Sequence, residues 1–299
     1  MGTDWRLIVV DPPEDIREIV QAVLARMIAE FSHYEPGSRI GRFNRLPLGR
    51  WHPLAPETIR VLDAAFAVWE RSGGAFDPAA GLLVDLWGFG PAGPRANLPS
   101  AGAVAEARGM SGAAYLEYDR GACRMRRREA VRIDLSGIAK GYAVDAVAER
   151  LVSLGIEDFL IEIGGELRGE GIKPDGQPWW VALEPVPGAR LAPVRIALHG
   201  LSVATSGDYR RFFDFGGRRY AHSIDPRTGW PVANNVVSVS VIHREAMLAD
   251  AWATALTVLG PEGRALAEQE GLAVHMVTRA AAGDGFAEYL SPALSAMLA

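Results

Sequence analysis

The chain has 299 residues, 49% hydrophobic and 22% charged, with a formal net charge of -5. This is the composition of an ordinary globular protein able to bury a large core, and its acidic balance argues against a nucleic-acid partner. The single cysteine, Cys123, excludes an internal disulfide and a thiolate-rich zinc site, and no run of about 18 apolar residues is present to span a bilayer.

In chain order, Arg6 to Val10 reads as a strand. Pro12, Pro13, Glu14 and Asp15 make a helix start, and Ile16, Ile19, Val20, Val23, Met27 and Phe31 carry an amphipathic helix to about residue 32. A turn covers Tyr34 to Ser38. A second helix is predicted from Pro56 to Ser72, with Ile59, Leu62, Phe66 and Trp69 as its stripe and Gly73-Gly74 as its stop. Residues 88–100, rich in Gly and Pro, read as a long surface loop or a seam between two lobes of one domain covering 1–299. Strands are predicted at Ala114 to Tyr118 and Ala130 to Leu135, and a helix from about Ile138 to Leu154. The basic run Arg124 to Arg128 reads as the solvated face of a surface strand.

Beyond Gly155 short strands dominate: Phe159 to Ile163, Trp179 to Leu183, Val194 to Leu198, Val236 to Ile242 and Ala273 to Thr278. A hairpin is predicted around Gly216-Gly217, and helices at Glu245 to Leu259 and Pro261 to Glu270. Strands outnumber helices without alternating with them, which favours α+β over a doubly wound sheet.

Four segments carry chemistry. Asp134-Leu-Ser-Gly-Ile-Ala-Lys140 ends a predicted strand and opens a helix, whose N-terminus suits an anion. Lys140 opposes the helix dipole there and makes sense facing a negative group. A plain helix capped by Asp134 or Ser136 is the simpler alternative. Ile163-Gly-Gly-Glu166 marks a tight turn or a close backbone approach. His222 stands before the turn Asp225-Pro-Arg-Thr-Gly229 and is either an acid–base group or a hydrogen-bonded structural histidine. Asp250 and Thr254 lie one helical turn apart in an apolar helix. Two hard oxygens on one face suit a Mg²⁺-like cation, or else form a core pair with the threonine bonding its i−4 carbonyl.

Together, Tyr34 with Ser38 to Asn44, Gly74-Ala-Phe-Asp-Pro78, Asp134 to Asp145, Ile163 to Glu166, Thr205-Ser-Gly207, His222 to Gly229 and Ala249 to Thr254 closely resemble the ApbE family, the FAD:protein FMN transferases. The resemblance spans nearly the whole chain. It implies a compact α+β fold, T-fold-like, with mixed, largely antiparallel sheets flanked by helices. It implies Mg²⁺-dependent transfer of FMN from FAD to a threonine or serine hydroxyl of a target flavoprotein, with release of AMP. By position, Asp250, Thr254 and the carbonyl of Gly137 match metal ligands. Met1, Tyr34, Ala75, Phe76, Asp77, Asp134, Lys140 and Ile224 match flavin contacts, and His222 matches the proposed general base. Ala253 stands where some relatives carry an acid.

The family is commonly exported and lipid-anchored. This chain as written shows neither a leader nor a lipobox cysteine, so it is expected in the cytoplasm, or in the periplasm if a leader has been removed. Two other functions fit the same residues less well: an FAD pyrophosphatase, with water as acceptor, and a non-catalytic FAD-binding protein. The second needs neither metal nor base.

Overall fold

The computed structural model describes residues 2–209, 211–280 and 285–298, without the side chain of Arg218. The chain forms two compact units: Met1–Arg26, Ile138–Tyr209 and Asn234–Ala299 make the first, Met27–Gly137 and Arg210–Ala233 the second. Residues 88–100 fall inside the second unit. The fold is α+β, as expected, and every ladder between named strands is antiparallel. Among the described residues no helix is long and apolar enough to cross a membrane.

The first unit is built on a seven-stranded sheet in the order Trp5–Val9, Phe159–Ile163, Glu166–Glu170, Leu201–Gly207, Val236–His243, Ala273–Arg279, Phe286–Leu290. Helices Ala139–Ser153 and Ala246–Leu259 pack against it. Val203, Ile242 and Ala273 are register partners, so they share one face, and they pack there on Trp179, Ile196, Leu198 and Leu294. Val236–His243 is buried over nearly its whole length, so Ser238 and Ser240, which alternate with valines, are buried too, and the Ser240 hydroxyl pairs with Thr205 of the neighbouring strand at 2.7 Å. Two of the sheet's strands, Glu166–Glu170 and Leu201–Gly207, lacked a clear apolar pattern in the sequence. Gly164 and Gly165 have φ of +62° and +100° and form the two-residue loop of a hairpin, so the expected tight turn is present and Glu166 opens the returning strand.

The second unit holds helices Arg39–Phe43, Pro56–Arg71, Gly81–Leu86 and Ala101–Gly109 and a three-stranded sheet of His52–Pro53, Arg124–Arg127 and Leu116–Asp119. Two small hairpins, Phe212–Phe215 with Arg218–Ala221 and Ile224–Asp225 with Trp230–Pro231, complete it. Pro56 and Glu57 start the long helix, and its buried face is Thr58, Val61, Leu62, Ala65 and Val68. The predicted stripe is thus rotated: Ile59, Phe66 and Trp69 are only half-buried, with Phe66 stacked on Tyr118.

Two expectations need correction here. Ala130 to Leu135 is not a strand; its one bridge joins Arg132 to Ala80. The Asn44 side chain stands in for a neighbouring strand: its Oδ1 accepts from Ile133 N at 2.8 Å and its Nδ2 donates to Ile133 O at 2.8 Å. The basic run is not simply a solvated face. Arg127 is buried and donates to the carbonyls of Val131 and Leu46, while Arg126 forms a fork with Glu117.

Candidate active site

In the first unit, two helices cross at a glycine. A Cβ on Gly141 would lie 2.2 Å from the carbonyl oxygen of Ala246, so only glycine lets Ala139–Ser153 meet the start of Ala246–Leu259 this closely. Asp145, one turn further on, is fully buried and accepts from the amides of Ala246 and Met247 at 3.0 and 2.9 Å. It supplies the first-turn acceptor that the second helix lacks from its own N-cap, Glu245. Arg168 donates to Asp145 at 2.7 Å and neutralises it. Burial pushes the Asp145 carboxyl up, while those two amides and Arg168 oppose the shift.

This crossing sets Asp250 against the N-terminus of the Lys140 helix. Asp250 is 3% exposed; its Oδ2 accepts from Gly141 N at 3.1 Å and its Oδ1 lies 3.8 Å from Lys140 Nζ. Lys140 also pairs with the buried carboxylate of Glu166. Lys140 thus faces two protein carboxylates, Asp250 and Glu166, which offset its charge in the first helical turn. Neither Asp134 nor Ser136 caps this helix: Ile138 holds the N-cap position without a side-chain bond, and Asp134 Oδ1 closes a turn on Ser136 N at 2.8 Å.

The donor set of Asp250 and Thr254 fits a hard divalent cation. Burial pushes the Asp250 carboxyl up, countered by the Lys140 charge and the Gly141 amide. One amide and an ammonium at 3.8 Å leave a buried carboxylate that a further cation would stabilise. Thr254 is half-buried one turn on, and among the described residues its hydroxyl makes no hydrogen bond. The back-bond to an i−4 carbonyl occurs in this helix at Thr257, whose Oγ1 donates to Ala253 O at 2.8 Å, and not at Thr254. Gly137, the third expected ligand, is a half-buried turn residue of the second unit.

In the second unit, His222 follows the hairpin strand Arg218–Ala221. Its Nδ1 lies 3.0 Å from the carbonyl oxygen of Arg211, which also accepts the His222 amide at 3.1 Å. A carbonyl can only accept, so Nδ1 carries a proton, and in the neutral ring the basic lone pair is on Nε2. The ring of Phe89 meets the imidazole edge-on at 6.3 Å.

The remaining expected flavin contacts in the second unit differ in what they can offer. Tyr34 is 45% exposed, with its hydroxyl donating to Phe89 O at 2.8 Å and its ring tilted against His33 at 4.3 Å. Ala75 and Phe76 are buried, and their amides are already bonded to Ser72. Asp77 accepts from Ala79 N at 2.8 Å and Ala113 N at 3.1 Å; burial pushes its carboxyl up to about 6 against these bonds and one from Trp69. Ile224 packs in a cluster with Leu83, Trp87, Phe89, Val104 and Ala107. Asp134 also lies 3.4 Å from Nδ1 of His33. The expected contact at Met1 lies outside the described residues.

Sequence reasoning did not single out Glu166, Arg211 or His33 as site residues. The charge logic at Lys140 points to a carboxylate partner, and the Gly-Gly turn before Glu166 is the local signal for which one. Arg211 acts through a main-chain carbonyl and His33 through a contact distant in sequence, neither of which leaves a residue-type signal.

The sequence profile of the ApbE family matches residues 1–276. The chain is 36% identical over 305 residues to the FAD:protein FMN transferase of Vibrio cholerae serotype O1, covering all of this chain and 90% of that protein. Among solved structures it is similar to the Pseudomonas stutzeri flavinyl transferase ApbE in its apo form, with a TM-score of 0.89 at 36% identity, covering 99% of this chain and 96% of that one. The flavin transferase ApbE from Vibrio cholerae superposes with a TM-score of 0.91 at 34% identity and the same coverage. With the profile and a full-length relative in agreement, the chain belongs to the ApbE family.

Proposed function

We propose that the protein transfers FMN from FAD to a threonine or serine hydroxyl of a target flavoprotein, with Mg²⁺, and releases AMP. Its relatives are named FAD:protein FMN transferases, which supports transfer of FMN out of FAD. The observation that carries the finer statement is the Asp250–Thr254 pair: a buried, under-compensated carboxylate and, on the same helical face, a hydroxyl that makes no hydrogen bond among the described residues.

Asp250 and Thr254 would hold the metal, with the carbonyl of Gly137 as a third donor. When bound, Mg²⁺ supplies positive charge to the pyrophosphate oxygens as charge builds on them. The acceptor hydroxyl oxygen bonds to the FMN phosphorus as the bridging P–O bond to AMP breaks. His222 Nε2 takes the hydroxyl proton, and AMP leaves with the bridging oxygen. Lys140 holds Asp250 in place. Tyr34, which is exposed, contributes to flavin binding along with Met1, Ala75, Phe76, Asp77, Asp134 and Ile224.

The test is an intact-mass assay of a flavoprotein fragment bearing a suitable threonine, mixed with the protein, FAD and Mg²⁺, with and without EDTA. The proposal expects a metal-dependent gain of one FMN on the fragment, matched by AMP. AMP and free FMN without a mass gain would favour the pyrophosphatase. Bound FAD with no AMP would favour a storage protein.

A further inference from the structure

The segment before the hairpin is tied to the same residue that packs on His222. The carbonyl oxygen of Phe89 accepts from Tyr34 Oη at 2.8 Å and from Arg211 Nη2 at 3.3 Å. Phe89 is anchored by its own amide, which donates to Val84 O at 3.0 Å, and its ring packs on Phe213 at 5.5 Å and on His222 at 6.3 Å. Arg211 thus makes contacts of two kinds, through its side chain and through a carbonyl that also accepts the His222 amide at 3.1 Å. Its guanidinium grips the main chain at Phe89, and its own carbonyl takes the Nδ1 proton of His222. Phe213 continues the arrangement by stacking on Tyr220 at 5.2 Å, two residues before His222.

We propose that Arg211, assisted by the Tyr34 hydroxyl, is a positioning residue for His222: by anchoring to the Phe89 carbonyl it aims its own carbonyl at Nδ1 and so selects the tautomer with the basic lone pair on Nε2. The side chain acts only through its own main chain, and its distance from any reacting atom does not enter. A histidine ring free to rotate would share its proton between both nitrogens; one held against an acceptor-only oxygen does not. The catalytic meaning of this arrangement rests on His222 being the base in the proposed transfer. The geometric statement does not.

The experiment uses the full chain labelled with ¹⁵N-histidine and a long-range ¹H–¹⁵N spectrum at about pH 8, above the ordinary histidine titration. The signal of His222, one of six histidines, is assigned by its disappearance in His222→Ala. The wild type should carry its proton on Nδ1. Arg211→Met, an exposed position whose loss leaves the fold intact, should move population toward the Nε2–H form. It should lower kcat about tenfold, the rate equivalent of one hydrogen bond, with KM for FAD within about twofold. Tyr34→Phe, which keeps the ring, should shift the tautomer in the same direction, and Arg211→Lys should recover most of the wild-type population.

A wild-type His222 protonated on Nε2, or variants that keep the wild-type tautomer, would overturn the proposal. A shifted tautomer with unchanged kcat would support the contact and remove His222 from the base role.

Discussion

In the first unit Asp250 is held by a helix crossing in which every contact is packed: Gly141 against the Ala246 carbonyl, Asp145 on two amides, Arg168 on Asp145. In the second unit His222 follows a two-stranded hairpin, with its Nδ1 on the Arg211 carbonyl and its ring against the Phe89 ring. The first arrangement ties chemistry to stability, because the groups that place Asp250 are also what joins the two helices. The second separates them, since the imidazole can be removed without opening a core. A substitution should therefore betray its unit by how stability and activity move relative to each other.

The largest effect is expected at Asp145. Asp145→Ala leaves two helix amides without an acceptor and removes one of the carboxylates that Arg168 pairs with, Glu170 remaining, a loss of about 2–4 kcal/mol. Denaturant unfolding should show this, with FMN transfer lost alongside. A variant that unfolds like the wild type would mean the crossing does not hold the unit together.

His222→Ala should show the opposite signature. Transfer should slow by about 10²- to 10⁴-fold, the usual worth of a general base, while the unfolding free energy stays within about 0.5 kcal/mol and FAD still binds. Full activity across the pH range would end the base assignment.

A smaller, mixed effect is expected from Gly141→Ala. The added methyl cannot fit 2.2 Å from a carbonyl oxygen, so the helices must separate, at about 1–3 kcal/mol. The Mg²⁺ concentration needed for half-maximal transfer should rise as Asp250 shifts. If stability fell with the metal dependence unchanged, the crossing would be structural only.

The mildest effect concerns Asp77. Its folded carboxyl, raised to about 6, lies above an unfolded value near 4. Between about pH 4 and 6 the folded state therefore binds a proton that the unfolded state lacks, and this group's contribution to stability falls as pH rises through that window. Burial pushes Asp145 and Asp250 in the same direction, so the informative quantity is the difference between wild type and Asp77→Asn. The variant should show a flatter fall in stability from pH 4 to 6, and an identical slope would mean that Asp77 does not titrate there.

The contrast between the units also governs how much was legible in the sequence. Helical spacing placed Asp250 and Thr254 on one face, and the charge logic at Lys140 called for an anion; both are local arguments. What the sequence hid is non-local. Asp134 and Ser136 were reasonable caps by residue type, but the amide of Gly141 is met instead by Asp250, more than a hundred residues away. Ala130 to Leu135 had the composition of a strand, yet a single asparagine side chain satisfies the main chain at Ile133 in place of a ladder. Strand Leu201–Gly207 carries no simple alternation, and two of its hydroxyls are satisfied by distant partners, Thr205 on Ser240 at 2.7 Å and Ser202 on the Arg244 carbonyl at 3.4 Å. His222 was visible as a residue type, but its tautomer depends on the main-chain oxygen of Arg211, and a main-chain contact leaves no residue-type signal.

The most direct test of the account is FMN transfer by Asp250→Ala across a Mg²⁺ titration, read beside its unfolding curve. Asp250 accepts the Gly141 amide across the helix crossing, so its removal should lower the unfolding free energy by about 1–3 kcal/mol, leaving the chain folded, while transfer falls by about 10³-fold or more at every Mg²⁺ concentration. Wild-type turnover with the wild-type metal dependence would contradict the assignment of Asp250 as the charged metal ligand, and with it the proposed division of labour between the two units.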